Sequence, residues 1–276
     1  MSNPFFMNEQ PDAKTAMPAP DSDRAAQRGI QSIGVGGQLL RALVHHGRPM
    51  ALKDLAREAD MTAAKAHPYM VSFGRLGLIE QDPDSGHYRL GPLALQLGLI
   101  ALQQADPVQL ATPVIAELAQ RIGHTMAIAV WGDRGATIVR IAESPAAVYV
   151  AMRHGTVFSL THSASGRLFG AYLDAAAVRT MLDDERRRDK ALSGWKAFET
   201  KLAEVRAHGV SRSEGEIVPG VNAMAAPVFD HTGAIVLALT AIGPAALFPT
   251  AWDGPIARAL KEGADAVSQR LGAAVA

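Results

Sequence analysis

The densest run of hydroxyl, imidazole and guanidinium groups in this chain is Thr161-His162-Ser163-Ala164-Ser165-Gly166-Arg167. A histidine beside two serines invites a nucleophilic reading, with the imidazole taking a hydroxyl proton. No Gly-x-Ser-x-Gly elbow surrounds either serine, and neighbours in sequence rarely reach the hydrogen-bond geometry such a pair needs. A different chemistry suits the run better. Ser163 or Ser165 can cap a helix starting near Gly166, and the free N–H groups of a helix N-terminus form a site for a carboxylate. Glu214 and Glu216 alternate along an expected strand and share a face; exposure near a pocket mouth suits them better than paired acid–base work. The nine histidines show no metal spacing, since His45 and His46 are neighbours and no His-x-x-x-His occurs. Gly34-Val35-Gly36-Gly37 lacks the preceding strand and the following Gly-Lys-Ser/Thr of a phosphate cradle. Asp183 to Lys190 mixes both charge signs and reads as a solvated connector. These residues point to binding without turnover, and to neither a metal nor a cofactor.

A second set of reactive-looking side chains lies between Met50 and Leu90. Leu52, Leu55 and Ala56 recur at helical spacing, with Lys53, Asp54, Arg57 and Glu58 on the other face and Ala59-Asp60-Met61 as the closing turn. Thr62 can cap a second helix that buries Ala66, Met70, Phe73 and Leu76. Leu78 to Gln81 and His87 to Leu90 then flank a Pro/Asp/Gly cluster, the pattern of a β-hairpin. Two helices around a short turn followed by a hairpin make a winged helix-turn-helix, whose second helix enters the major groove of double-stranded DNA. Thr62, Ala63 and Lys65 would reach base edges, with Tyr69 and Ser72 further along. Lys53, His67, Arg75, His87 and Arg89 would meet phosphates.

Formal net charge is zero over 276 residues, which looks unpromising for a DNA binder, but its distribution is uneven. Residues 1–23 hold one lysine against four acids (−3), residues 24–105 nine Lys/Arg against six acids (+3), and residues 106–276 seventeen of each sign. The basic excess coincides with the helix-turn-helix pattern. The chain has no cysteine, which excludes disulfides, thiolate zinc sites and cysteine nucleophiles. No apolar run reaches the ~18–20 residues of a membrane span, and the first residues lack a basic-then-apolar leader; the expectation is a soluble cytoplasmic protein without a membrane partner.

The elements that must position these groups follow in order. Residues 1–28 read as a disordered tail, and 29–91 as the DNA-binding domain, opened by a helix from Gln31 to His45 whose first half Gly34, Gly36 and Gly37 weaken. Residues 92–105 read as a linker helix apolar on both sides, which needs two neighbours and so invites a second subunit. Asp106-Pro107 starts a further helix, and Thr112-Pro113 would restart it. From Thr125 onward, strands are expected over 126–131, 136–142, 148–152, 210–216, 224–229 and 235–242. Helices fit 166–172, 175–181, 195–208 and 255–271. Residues 106–276 are therefore an α+β domain with a largely antiparallel sheet covered by helices. A pocket there would draw apolar walls from Met126, Ile128, Val130, Val150 and Met152. Its polar end would come from Ser163, Ala164, Ser165 and Gly166, and its remaining walls from Gly220, Val221, Asn222, Ala223, Met224, Leu239 and Thr240. Such a lining suits a small aromatic or short aliphatic carboxylic acid.

Several stretches in order resemble the isocitrate-lyase-regulator (IclR) family of bacterial transcription factors, over roughly residues 31–272. They are Leu40-Arg41-Ala42-Leu43 with Gly47-Arg48-Pro49, Leu55 to Ala59, Gly77-Leu78-Ile79-Glu80, and Tyr88 to Gly91 with Leu97-Gly98. Leu160 to Arg167 and Glu214 through Pro219-Gly220-Val221 to Asp230 complete the set. The resemblance implies a winged helix-turn-helix, a linker helix and a GAF-like effector-binding domain, in a protein acting as a homodimer or homotetramer. It implies a regulator whose small organic acid effector modulates operator binding; the alternative is a small-molecule enzyme carrying an appended DNA-binding module. Pro68 departs from the family pattern, standing where an arginine usually contacts DNA. Past the first helical turn it should kink the helix at a cost of ~3 kcal/mol.

Overall fold

The computed structural model describes residues 30–273, so the tail expected over 1–28 lies outside the described residues. The chain divides into two compact units, residues 1–99 and 100–276. In the first, α1 (Gln31–His46), α2 (Leu52–Glu58) and α3 (Ala63–Leu76) enclose a small core together with the antiparallel hairpin of β1 (Ile79–Gln81) and β2 (Tyr88–Leu90). Leu39, Leu43, Leu55, Ala66, Met70 and Ile79 are buried there. Among the described residues Asp60 is the single non-glycine at positive φ (51°). It forms the tight turn between α2 and α3, where the Met61 N–H returns to the Ala56 carbonyl at 2.9 Å. Aspartate is one of the few side chains that enters this region readily.

Thr62 caps α3 by accepting the Lys65 N–H at 3.3 Å. Thr62→Ala should therefore destabilise the first unit by about 1 kcal/mol, measurable as an earlier loss of helical circular dichroism on heating; an unaltered first transition would refute the cap's contribution. The helix runs on through Pro68, which has no N–H to donate to the Ala64 carbonyl, and the Ser72 hydroxyl donates to the Pro68 carbonyl at 2.9 Å. The expected apolar stripe is shorter than its spacing predicts. Ala66 and Met70 are buried, Phe73 is half-buried, and Leu76 is 61% exposed because Gly77 (φ 77°) turns the chain away beneath it. The glycines of α1 do not unwind it. Gly36 is buried, and a Cβ there would stand 2.8 Å from Tyr69 and 2.9 Å from Phe73 ring carbons, so the close crossing of α1 and α3 requires glycine.

Within the stretch expected over 92–105 lies one helix, α4 (Pro92–Gln104). It contains no charged residue and buries none of its side chains; Leu95, Leu97, Leu99, Ile100 and Leu102 are 42–65% exposed.

The second unit is a six-stranded antiparallel sheet in the order β5-β4-β3-β8-β7-β6. Its strands are β3 (Thr125–Gly132), β4 (Gly135–Ala142), β5 (Val157–Phe158), β6 (Ser211–Glu214), β7 (Val221–Phe229) and β8 (Ile235–Pro244). On one face, α5 (Pro107–Ile122) and α9 (Pro255–Arg270) pack through Ile115, Leu118 and Leu260 onto Met126, Ile128, Met224, Leu237 and Leu239. On the other face lie α6 (Ala164–Tyr172), α7 (Ala175–Arg188) and α8 (Trp195–His208), which bring Leu168, Phe169 and Leu202 to a sheet surface of Ala127, Ala129, Ala136, Ala225 and Ala238. The sheet is therefore two-sided in size, with large side chains toward α5 and α9 and mostly methyl groups toward α6. Burial at both faces sets this architecture, since each strand must hide two rows of side chains.

Three expectations are corrected. Residues 148–152 form no strand, because the edge of β4 is taken by later residues: the Ile138 N–H donates to the Thr156 carbonyl (2.9 Å) and the Gly155 N–H to the Ile138 carbonyl (2.8 Å), ahead of β5. Pro113 does not restart a helix, since α5 passes through it, capped by Asp106 at the Val108 and Gln109 N–H groups (2.9 and 3.1 Å). The supposed connector at 183–190 is helical as far as Arg188, the end of α7. No described helix is long and apolar enough to cross a membrane.

Candidate DNA-contacting face and ligand cavity

On α3, Thr62, Ala63, Lys65, His67 and Ser72 are exposed, as are Lys53 on α2 and Arg75 at the end of α3. Tyr69 is half-buried, with its ring against Gly36 on α1 at the crossing of the two helices. In the hairpin, His87 is half-buried, and the Arg89 guanidinium is held by Glu80 across the strands at 2.7 Å. The hairpin turn is built by Asp82, whose carboxylate accepts the Ser85 N–H and hydroxyl, both at 2.7 Å. The Ser85 backbone hydrogen bond foremost, then its hydroxyl, holds the Asp82 carboxyl below its ordinary value.

The second unit contains a cavity of about 420 Å³ between the start of α6, the 150–158 segment and the 217–223 turn. Of the residues singled out from sequence, Val150, Met152, Ser163, Ala164, Ser165, Val221, Ala223 and Thr240 line it. Met126, Ile128, Val130, Met224 and Leu239 do not, because strand alternation turns them to the α5–α9 face. Leu239 and Thr240 are successive residues, so only one could face the cavity. Asn222 also turns away and donates its amide to the Phe248 carbonyl at 3.2 Å, while Gly220 sits in an exposed turn at φ 80°. Gly166 lies behind the lining; its N–H is taken by the Ser163 hydroxyl at 2.8 Å. Arg153, Phe158, Ser213, Ile217 and Val218 line the cavity and were not anticipated. Ser213 was within reach of the pattern, since it pairs with Ala223 and shares its face.

The entry to α6 is held from three sides. The Ser163 hydroxyl accepts the Gly166 N–H and donates to the Ser159 carbonyl at 2.6 Å. Glu185 on α7 accepts the Leu160 N–H (2.6 Å), the Thr161 N–H (3.3 Å) and the hydroxyls of Ser159 and Thr161 (both 3.0 Å). Arg167 is buried; its Nε donates to the Thr161 carbonyl (2.7 Å), its Nη1 to the Arg212 carbonyl (2.6 Å), and its Nη2 meets the Glu216 carboxylate. Burial alone would push the Glu216 carboxyl up, but the Arg167 hydrogen bond and charge, aided by Lys201 and His162, bring it below its ordinary value. Glu214 and Glu216 are both exposed, as expected, and have different partners, the Thr250 hydroxyl for Glu214 and Arg167 with Lys201 for Glu216. His162 contributes backbone rather than a base: its N–H donates to the Ser159 hydroxyl at 3.1 Å, and its carbonyl accepts the Ser213 hydroxyl at 2.6 Å.

Two N–H groups at the start of α6, those of Ala164 and Ser165, are too early in the helix to find an intrahelical acceptor. Beside them the hydroxyls of Ser165 and Thr240 lie 2.9 Å apart, 1% and 3% exposed. Only one proton of such a pair is consumed between them; the other has no acceptor among the described residues.

A winged helix-turn-helix joined to an α+β unit of this build defines a DNA-binding transcriptional regulator. The IclR helix-turn-helix domain matches residues 32–83, and the bacterial transcriptional regulator IclR C-terminal domain matches residues 99–269. The chain belongs to the IclR family. It is similar to the glycerol operon regulatory protein of Streptomyces griseus, 30% identical over 253 residues, 89% of this chain and 98% of that protein. To the transcriptional repressor IclR of Escherichia coli it is 24% identical over 225 residues, 78% of this chain and 80% of the other. Among solved structures, Pseudomonas aeruginosa HmgR aligns with a TM-score of 0.82 at 34% identity, covering 90% of this chain and all of that one. The curated relatives are named regulators of transcription, not enzymes.

Proposed function

We propose that the cavity takes a small aromatic or short aliphatic carboxylic acid and that its occupancy changes operator affinity. The observation that carries this reading is the pair of unpaired N–H groups beside a spare hydroxyl proton, set at the buried end of an apolar cavity. Free helix N–H groups and the helix dipole together favour an anion, and the apolar walls favour a hydrocarbon body. Coupling to DNA is then a difference in acid affinity between the operator-bound and free states. Titrating benzoate into the full-length protein with and without operator duplex tests the reading; one operator affinity at every acid concentration would end it. Thr240→Val, which removes a donor to a charged ligand, should weaken acid binding by about tenfold or more, and an unchanged calorimetric affinity would place the carboxylate elsewhere.

On the DNA side, Thr62, Ala63, Lys65 and Ser72 would face the groove, with Lys53, His67, Arg75 and His87 against phosphates; Arg89 would have to exchange Glu80 for a phosphate. Lys65→Ala should lower operator affinity about tenfold, and binding by the unmodified chain should fall by roughly 10³ between ~50 and ~200 mM salt. Gel-shift titrations across that salt range decide it, and salt-independent binding would count against the assignment. A second copy of the chain covering α4 would give the homodimer or homotetramer and hide the exposed leucines.

A further inference from the structure

The polar groups around the cavity can be sorted by whether they are already engaged. The Ser163 hydroxyl donates to the Ser159 carbonyl, the Ser213 hydroxyl to the His162 carbonyl, and the Thr156 hydroxyl to the Arg153 carbonyl at 2.7 Å. Two donor sets remain. One is the α6 start with the Ser165–Thr240 pair, almost wholly withdrawn from solvent. The other is the Arg153 guanidinium, exposed at the rim and in no ion pair among the described residues. Its backbone is not loose. The Arg153 carbonyl accepts both the N–H and the hydroxyl of Thr156, and the next residue but one, Gly155, is hooked to β4 through the Ile138 carbonyl. Apart from these and the engaged hydroxyls the lining is apolar, with Val150, Met152, Phe158 and Ile242 among it.

One carboxylate seated on the buried set leaves the rim cation without a partner. We infer that the ligand is a two-headed acid: a hydrocarbon body with one carboxylate at the α6 start and a second at Arg153. This rests on the carboxylic-acid reading above and names the ligand class within it. A planar guanidinium matches a carboxylate with paired N–H donors, and its recruitment at a rim gives selectivity between acids of the same body.

Matched pairs of probes separate the heads: benzoate against terephthalate, and hexanoate against adipate, each titrated calorimetrically into the full-length protein. The expected result is a diacid bound at least about tenfold more tightly than its monoacid in one of the pairs. In Arg153→Met, which keeps the apolar stem, that ratio should collapse to within about threefold; in Arg153→Lys, which keeps the charge, much of it should return. Equal affinity for monoacid and diacid in the unmodified protein, or a preference that survives in Arg153→Met, overturns the two-headed ligand while leaving the acid site standing. If neither monoacids nor diacids bind, both readings fall together, and the monoacid titrations show it.

Discussion

Arg167→Met should unfold the second unit at a clearly lower denaturant concentration, by about 3 kcal/mol, the lower end of the range for breaking a buried ion pair, because its partner Glu216 keeps 29% of its side chain exposed. Methionine fills the volume of the stem but removes every donor. The Thr161 and Arg212 carbonyls and the Glu216 carboxylate are then left facing an apolar side chain, and an unpaired buried acceptor costs more than the bond itself contributes. The pH dependence carries a sign that separates this from a simple packing defect. Glu216 is held below its ordinary value near 4.5, so the stability it contributes is fully present above that value and is lost as pH falls through its depressed folded-state value. The unmodified protein should lose stability on acidification below about pH 5 more steeply than Arg167→Met does, most of the excess appearing under pH 4.5. All three tryptophans, Trp131, Trp195 and Trp252, lie in the second unit, so their fluorescence reports its unfolding. Equal denaturation midpoints for the two proteins at neutral pH, or parallel acid profiles, would remove Arg167 from this role.

The second large effect is expected one residue earlier. A Cβ on Gly166 would lie 2.2 Å from the Ser159 carbonyl oxygen and 2.7 Å from the Leu160 Cα, both backbone atoms. Neither can swing aside as a side-chain tip could, and the strand-to-helix corner they form is already pinned by Glu185. Gly166→Ala should therefore cost about 3 kcal/mol or more, which for a unit of this size is a fall of about 6–12 °C in melting temperature. Because the displaced corner carries Ser163 and the unpaired N–H groups of α6, acid binding should disappear in the same variant. A scanning-calorimetry trace that matches the unmodified chain would mean the corner is softer than its geometry implies.

Local features proved readable from residues alone. The Thr62 cap, the Ala59-Asp60-Met61 turn and the hairpin around Asp82 each depend on side chains within a few positions, and α8 was delimited at both ends. Polarity of the strands was not readable. A sheet covered on both faces shows no alternation of apolar with polar, so Met126, Ile128 and Val130 looked as fit for a pocket as Ala127 and Ala129 did. Their larger side chains were given to the ligand, whereas bulk belongs in the α5–α9 core. The packing of Tyr69 was hidden for a comparable reason, since its ring lies against Gly36 on another helix. Arg153 and Glu216 depend on still longer reach. The first is placed through Thr156 and Gly155, whose backbone groups bond to Ile138 on β4, the second by a guanidinium 49 residues away, and no short pattern encodes either.

The methyl-lined face of the sheet bears on how such a protein can change its diet. Ala223 borders the cavity directly, with Ala225 and Ala127 next in the same layer, buried in the core. Adding one or two carbons at Ala223 would take room from the cavity while the bulky layer beneath α5 and α9 stays as it was; at Ala225 or Ala127 it would crowd the core instead. On the proposed function, a new ligand preference would need only a single nucleotide change at the Ala223 codon, with the scaffold's cohesion supplied from the opposite side.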